Sequence, residues 1–325
     1  MMQAYIERHG GPEVIQWRDV PAPEPGEGEV VVAHRAVGVN FIDTYHRSGL
    51  YATPLPSGLG VEGCGVVAAV GRGVDPSLAG QRVAYTLAAP GSYAEQRVVP
   101  AERVVRVPRT VDDAEAATVM VRGLTAWYLL RRTCEVGPGT RVLVHAAAGG
   151  MGSYLCQWAR YLGAQVIGTV GGRAKLQTAR DNGCHHVIDY DHEPVAERVR
   201  ALTDGRGVDV VYDGVGQATF DASLACLRPR GMMVSYGNAS GPPAPVAPAT
   251  LASHGSLFLT RPSLYHYIAD RDELQTGAAE VFALLAGGVL RARIHASLPL
   301  KEAAEAHRLL EQRQASGSVV LTVGS

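Results

Sequence analysis

The segment from Thr140 to Tyr190 constrains the fold more than any other part of the chain. An apolar run at 142–144 leads into a glycine-rich turn at 147–152, and apolar residues then recur at the spacing of a helix. A second apolar run follows at 165–170. Strand, glycine turn, helix and strand in this order form a βαβ unit, in which a nucleotide pyrophosphate binds to backbone N–H groups at the start of the helix. The segment therefore predicts a dinucleotide-binding site.

The glycine turn departs from the usual pattern at one place. In the pattern GxGxxG the first glycine falls on Ala147, while Gly149 and Gly152 fill the other two places. Alanine is tolerated there only where φ stays negative, because its Cβ atom disfavours the left-handed region. The alternative is an ordinary α/β turn, but the flanking strands and helix favour the binding site. The residues predicted to hold the cofactor through this turn are Ala148, Gly149, Gly150, Met151 and Gly152.

The patterning of the remaining chain predicts two domains. Residues 1–123 carry short strand-like runs separated by Pro- and Gly-rich turns, which favour a partly open barrel. Residues 124–264 alternate strands with helices, which favours a doubly wound parallel sheet. Residues 265–325 return to a mixed pattern and are expected to complete the first domain. We predict an α/β protein in which a Rossmann domain (124–264) is inserted into a mostly β domain (1–123 with 265–325).

A short helix is predicted among the β-type runs, from Asn40 to Gly49. Asn is a favoured N-cap residue, and Gly is favoured after the last turn because it adopts the left-handed conformation. Within this helix Asp43 and Arg47 are four residues apart, which is the spacing of a surface ion pair.

Charge and composition argue against several classes of protein. A net charge of −1 argues against a nucleic-acid or membrane surface as the main partner. No run of about 18 uncharged apolar residues occurs, and Glu7 and Arg8 lie where a signal peptide needs apolar residues, so a cytoplasmic protein is expected. The 5 cysteines are odd in number and far apart, which suits neither a disulfide framework nor a zinc knuckle.

Several motifs, in order along nearly the whole chain, resemble one known family. They are VNFID at 39–43, SGLGVEG at 57–63, GLTA at 123–126, AAAGGMG at 146–152, VYDGVG at 211–216 and GN at 237–238. The chain resembles the medium-chain dehydrogenase/reductase superfamily, and within it the zinc-free NADPH:quinone oxidoreductases related to zeta-crystallin. The resemblance implies that the mostly β domain is GroES-like and catalytic, with an active cleft between it and the Rossmann domain, usually in a homodimer.

The residues after the second strand bear on the choice between NAD and NADP. An NAD-selective site normally offers an acid about 20 residues past the glycines, but residues 169–173 contain none. Arg173 and Lys175 are basic instead. Charged hydrogen bonds of about 1.5 to 3 kcal/mol each would favour NADPH by about a hundredfold. The alternative is that both residues belong to a solvated face at a helix start.

The resemblance adds specific cofactor contacts. Lys175 and Tyr190 match the residues that hold the 2′-phosphate in the family, and Gly171 lies in the same segment. The other positions that match cofactor contacts are Thr125, Asn238 and Arg313.

A catalytic zinc ion is not expected. Zinc dehydrogenases of the superfamily place a Cys where this chain has Asn40, and a His-Glu pair where it has Val61 and Glu62. Too few residues remain for the about three protein ligands that a catalytic zinc needs. A site without this Lewis acid suits acceptors that are already electrophilic, such as quinones and α,β-unsaturated carbonyls.

The predicted substrate-facing residues are Asn40, Tyr45 and Tyr51, because residues matching these line the substrate pocket in the resembled family. An amide or a tyrosine hydroxyl there could donate a hydrogen bond to a quinone oxygen as it gains negative charge. The alternative is that Asn40 is only a helix cap and that the tyrosines pack at a domain edge.

The first hypothesis is therefore an NADPH-dependent quinone oxidoreductase with direct, metal-free hydride transfer. A close alternative is an NADPH-dependent reductase of alkenals or enones. An alternative of a different class is an NADPH-gated RNA-binding or structural, crystallin-like protein, although the balanced charge speaks against RNA as the main ligand. His145, His185 and His186 are expected to be structural.

Overall fold

The computed structural model of the chain describes residues 1–312 and 317–324. The strands, in chain order, are β1 (Met2–Ile6), β2 (Gln16–Asp19), β3 (Glu29–Val39), β4 (Ser57–Gly58), β5 (Glu62–Val70), β6 (Arg82–Thr86), β7 (Gln96–Pro100), β8 (Val104–Arg106), β9 (Arg141–Val144), β10 (Gln165–Val170), β11 (His186–Asp189), β12 (Val208–Asp213), β13 (Leu227–Ser235), β14 (Phe258–Thr260), β15 (Ile294–Pro299) and β16 (Ser318–Thr322).

The α-helices follow the same chain order. They are α1 (Phe41–Ser48), α2 (Asp113–Tyr128), α3 (Gly150–Tyr161), α4 (Leu176–Asp181), α5 (Val195–Leu202), α6 (Phe220–Cys226), α7 (Pro248–Ser253), α8 (Leu264–Tyr267), α9 (Arg271–Ala286) and α10 (Ala303–Glu311). A π-helical turn, Leu129–Thr133, continues α2. None of the helices within the described ranges is long and apolar enough to cross a lipid bilayer.

The chain forms two compact units, Met1–Leu124 with Tyr267–Ser325 and Thr125–His266. The sequence predicted two domains with the limits 1–123 with 265–325 and 124–264. These domain limits stay a prediction.

The second unit is built on a parallel sheet with the strand order β11-β10-β9-β12-β13-β14. This strand order is that of the doubly wound Rossmann fold, and all of its neighbouring strands are parallel, which confirms the predicted sheet. The order reverses at β9, so the turn after β9 lies where such sheets bind their ligands. Buried side chains including Leu143, Ile167 and Val211 form the core of this unit.

The first unit is mostly β, as predicted. Its larger sheet has the order β15-β16-β3-β5-β6-β8, and β7 also pairs with β3, while β2, β1 and β4 form a smaller sheet. Strand β16 lies antiparallel to β3, with Val319 opposite Val39. The last segment of the chain therefore completes the sheet that the first segment begins.

Helix α1 begins and ends where the sequence predicted. Asn40 occupies its N-cap, and the Asp43 carboxylate accepts a hydrogen bond from the Asn40 backbone N–H at 2.8 Å. Gly49 ends the helix in the left-handed conformation, with φ of 82°. The first residue of α1 follows β3 after a single residue, so the end of β3 fixes the position of Asn40.

Helix α6 ends where a strand begins. It ends at Cys226, and β13 begins at Leu227. Leu227 is paired with Val208 of β12 in the parallel sheet. This tertiary pairing outweighs the helical pattern of the sequence.

Candidate functional site

The glycine turn after β9 accommodates the alanine at the first-glycine place. The left-handed residue of the turn is Ala146, with φ of 51°, and Ala147 is not among the described residues with positive φ. Ala147 therefore keeps the negative φ that an alanine needs at this place. The Ala147 N–H donates to the Thr169 carbonyl at 3.0 Å, which ties the turn to β10.

Room for the Ala147 methyl group comes from Gly168 on β10. A Cβ atom at position 168 would lie 2.6 Å from the Ala147 Cβ and 2.6 Å from the Cys184 Sγ, which is too close for either contact. The turn has alanine instead of glycine at its first place, and Gly168 on the neighbouring strand leaves space for the alanine methyl group.

Gly152 lets the start of α3 approach the turn closely. A Cβ atom at position 152 would overlap the Ala146 carbonyl group. Helix α3 begins at Gly150 with Gly149 as its N-cap, and the first N–H groups of a helix have no partner within it. Such N–H groups, together with the helix dipole, attract anionic groups at the start of a helix.

Four of the residues predicted for phosphate binding lie in one region beyond β10. A Cβ atom at Gly171 would overlap the Tyr190 hydroxyl, and the Tyr190 N–H donates to the Val170 carbonyl at 3.1 Å. Arg173 and Lys175 follow directly in a 3-10 turn. Neither basic side chain forms an ion pair with any residue within 1–312 and 317–324. Both charges are therefore available to an anionic ligand.

Asp189 is an acidic residue in this region that the sequence reasoning did not single out. Its carboxylate accepts hydrogen bonds from the Gly172 N–H at 3.0 Å, the Asp191 N–H at 3.2 Å and the His192 Nδ1 at 3.0 Å. It is nearly fully buried, so these donors hold it in place and the carboxylate shapes the Gly171–Gly172 turn. Its position at the end of a strand, next to Tyr190, was the available signal.

The predicted substrate-facing residues lie on α1 and in the turn that follows it. Tyr45 is buried and Tyr51 half-buried, and their ring centroids are 5.2 Å apart. The Tyr51 N–H donates to the Tyr45 carbonyl at 3.2 Å. Asn40 is buried at the other end of α1, where its Nδ2 donates to the Glu62 Oε1 at 2.6 Å. The structure therefore brings the two tyrosines into contact and holds Asn40 separately.

Asp43 and Arg47 do not form the surface ion pair that their spacing suggested. Both side chains are buried, at 0% and 2% exposed. The Arg47 guanidinium forms an ion pair with Glu311 and donates to the Gly10 carbonyl at 3.0 Å. The prediction of a surface ion pair was wrong because α10 supplies a carboxylate to Arg47, and the spacing of residues within α1 carries no information about that partner.

A directed chain of hydrogen bonds runs from Arg47 to Asp43. The Arg47 Nη1 lies 3.0 Å from the His307 Nδ1, and the His307 Nε2 lies 3.0 Å from the Tyr93 hydroxyl. Since a guanidinium only donates, His307 accepts at Nδ1 and carries its hydrogen on Nε2. Tyr93 in turn donates to the Asp43 carboxylate at 3.1 Å. Burial and the nearby Arg47 lower the pKa of His307 to about 3, so the ring is neutral.

Glu62 is a second acidic residue that the sequence reasoning did not place in the site. It is fully buried, and its Oε2 accepts a hydrogen bond from the Val121 N–H at 2.7 Å. Burial raises the pKa of Glu62 to about 7, against the opposing effects of Arg122 and the Asn40 amide. Burial likewise raises the pKa of Asp43 to about 7.

Two of the remaining predicted residues lie in α2 and after β13. Thr125 is buried in α2, and Asn238 is half-buried after β13, where its carbonyl accepts from the Gly241 N–H at 3.0 Å. Arg313 lies outside the described residues. His145 is buried between Thr169 and Ser223, with both ring nitrogens 2.9 Å from a hydroxyl oxygen, as a structural residue should be.

Two family models match the chain. The model described as alcohol dehydrogenase GroES-like domain matches residues 26–109, and the model described as zinc-binding dehydrogenase matches residues 150–283.

The residues at the corresponding place do not fit a zinc ion. The Asn40 amide is bonded to Glu62, and Val61 is apolar and buried. Within the described ranges, no three His, Cys, Asp or Glu side chains are grouped closely enough to hold a metal. The zinc-binding dehydrogenase model covers residues 150–283, which include most of the second unit.

The chain is similar over nearly its whole length to several reductases. The chain is 50% identical to a quinone oxidoreductase of Pseudomonas aeruginosa over 96% of this chain and 97% of the relative. It is 46% identical to a 2-haloacrylate reductase of a Burkholderia species over 99% and 98% of the two chains. The crystal structure of Escherichia coli quinone oxidoreductase complexed with NADPH superimposes with a TM-score of 0.96, at 45% identity, covering 99% of this chain and 100% of that chain. This chain belongs to the zinc-free quinone oxidoreductase family of the medium-chain dehydrogenase/reductase superfamily.

Proposed function

We propose that the chain is an NADPH-dependent quinone oxidoreductase. The observation that carries the proposal is the pair of basic side chains, Arg173 and Lys175, that follows the end of β10 and forms no ion pair with another described residue. The Asp189 carboxylate at the end of β11 is engaged by three hydrogen bonds within the protein. The relatives named quinone oxidoreductase, one of them crystallised with NADPH, support the same conclusion.

The chain offers a separate group for each part of the cofactor. The backbone N–H groups at the start of α3 would hold the pyrophosphate. Arg173, Lys175 and Tyr190 would hold the 2′-phosphate. Thr125, Asn238 and Arg313 are proposed as further contacts. When bound, NADPH supplies the hydride, so the protein itself needs to bind, orient and shield.

The substrate would meet Asn40, Tyr45 and Tyr51. A quinone oxygen gains negative charge as the ring is reduced, and an amide or phenol N–H or O–H group directed at that oxygen stabilises the charge. The aromatic contact between Tyr45 and Tyr51 restricts both rings, which favours a flat, conjugated acceptor.

The test is NADPH oxidation, followed by loss of its absorbance, with a panel of quinones. We expect turnover with quinones and a clear preference for NADPH over NADH. Tight NADPH binding without turnover of any acceptor would overturn the proposal and favour the binding-protein alternative.

The relative named 2-haloacrylate reductase favours a second candidate, the reduction of activated alkenes. The same panel should therefore contain enones, alkenals and a haloacrylate. A higher kcat/KM for these than for every quinone would make the alkene reductase the better assignment.

We also propose that the protein is a homodimer in the cytoplasm. Strand β14 is the last strand in the order of its sheet, and Phe258 on it is 58% exposed. An apolar edge strand of this kind is a pairing surface for a second copy. Light scattering after gel filtration should give a dimer mass that the Phe258→Glu variant loses, and a monomeric wild type would refute the dimer. Cell fractionation tests the location.

A further inference from the structure

We infer that Glu62 is a positioning residue for the reaction, which holds the Asn40 amide in one of its two orientations so that a free N–H group meets the substrate. The inference rests on the proposed function and deepens it. The Asn40 Nδ2 donates a hydrogen bond to the Glu62 Oε1 at 2.6 Å. Both side chains are buried, at 4% and 0% exposed, so water does not replace this partner.

The partners of Glu62 determine the orientation of the amide. Its second oxygen accepts from the Val121 N–H at 2.7 Å, so both oxygens of the carboxylate face donors. An ionised carboxylate only accepts hydrogen bonds, whereas an amide has a donor side and an acceptor side. Asn40 turns its NH₂ group toward Glu62, and above the Glu62 pKa of about 7 the ionised carboxylate allows only this orientation. One hydrogen of that group is used there. The other has no acceptor among the described residues and would meet a substrate oxygen.

The surrounding backbone leaves the carboxylate little freedom. A Cβ atom at Gly38 would overlap the Glu62 Oε1, so β3 passes directly against the carboxylate. Arg122, the residue after Val121, donates through Nη2 to the Val39 carbonyl at 2.8 Å and also bonds to Ser318. Helix α2 is thus tied to the residue that immediately precedes Asn40. Glu62 and Asn40 are held from both sides, which gives the amide a single position.

A purely structural role is the competing explanation, since Glu62 also satisfies the Val121 N–H. The two explanations differ in what Glu62→Gln should do. A glutamine has only one accepting oxygen, so with that oxygen on Val121 its NH₂ group faces Asn40. The Asn40 amide must then turn its carbonyl toward position 62, and the N–H needed by the substrate is displaced.

The experiment compares wild type, Glu62→Gln, Asn40→Ala and the double variant. Quinone kinetics give kcat and KM, and fluorescence titration gives the Kd for NADPH without turnover. We expect Glu62→Gln to lower kcat at least about tenfold, in line with the loss of one preorganised donor. The Kd for NADPH should stay within about twofold. In the Asn40→Ala background the same substitution should cost nothing further, because the group it positions is gone.

The competing outcomes are distinct. Equal losses in both backgrounds, a parallel weakening of NADPH binding, or an unchanged kcat in Glu62→Gln would each overturn the positioning role. If Glu62→Gln does not fold, the exchanged pair Asn40→Asp with Glu62→Gln restores a hydrogen bond with reversed polarity. That pair should recover the melting temperature but not kcat, and a wild-type kcat would overturn the inference. A wild type inactive on every acceptor would instead mark failure of the proposed function.

Discussion

Replacement of Lys175 by alanine should weaken NADPH binding selectively. Lys175 is half-buried at the end of the 3-10 turn after β10 and has no carboxylate partner among the described residues. A charged hydrogen bond contributes about 1.5 to 3 kcal/mol, and partial exposure to solvent places this one at the lower end. A loss of about 1.5 kcal/mol corresponds to a Kd for NADPH about tenfold higher. Removing Arg173 as well should raise the effect further, although less strongly because that side chain is exposed.

Fluorescence titration with NADPH and NADH measures the effect without any acceptor. NADH lacks the 2′-phosphate, so its Kd should change less than about twofold in Lys175→Ala. Lys301 is the only other lysine of the chain and lies in the first unit, so Lys301→Ala is a matched control that should leave both Kd values unchanged. Equal weakening of NADPH and NADH in Lys175→Ala would refute the phosphate assignment.

Three further predictions concern the folded state. Gly152→Ala should abolish NADPH binding and lower the melting temperature, because its methyl group would overlap the Ala146 carbonyl; unaltered binding in a titration would show that α3 can shift. Arg47→Met should lower the urea-derived free energy of unfolding by about 3 kcal/mol, since His307 and the Gly10 carbonyl lose their donor, and a change below about 1 kcal/mol would contradict that loss. His307 is neutral when folded but titrates near 6.5 when unfolded, so its contribution to stability is present above pH 6.5 and is lost as pH falls toward about 3. When the pH is lowered from about 6.5 to about 5, the free energy of unfolding should fall by about 2 kcal/mol less in His307→Asn than in the wild type. Parallel curves of unfolding free energy against pH for the two proteins would refute this.

The elements predicted best were those whose limits are marked locally. Strand β10 was predicted with its observed limits, because its apolar run ends in two glycines. Helix α1 was predicted because Asn40 and Gly49 are strong boundary residues. In both cases the deciding interactions lie within a few residues of each other in the sequence.

The parts that sequence reasoning missed depend on distant partners. Asn40 was expected to be either a cap or a substrate contact, and it is at the N-cap with its amide bonded to Glu62, which lies 22 residues away. The Arg47 side chain finds its carboxylate 264 residues further along the chain. Such partners depend on which strands and helices become neighbours, and residue spacing carries no information about that. The fit of Ala147 against Gly168 belongs to the same class.

The pairing of β16 with β3 also limits the order in which the chain can fold during synthesis. Val39 leaves the ribosome long before Val319, its partner across the sheet, has been made. The contacts of the Arg47 guanidinium with His307 and Glu311 likewise form only after α10 has been synthesised. The second unit, by contrast, draws its whole sheet from one continuous segment, Thr125–His266. The unit with the glycine turn can therefore be complete while the unit that carries Asn40 still lacks a strand, and the larger sheet is completed only after β16 has been made.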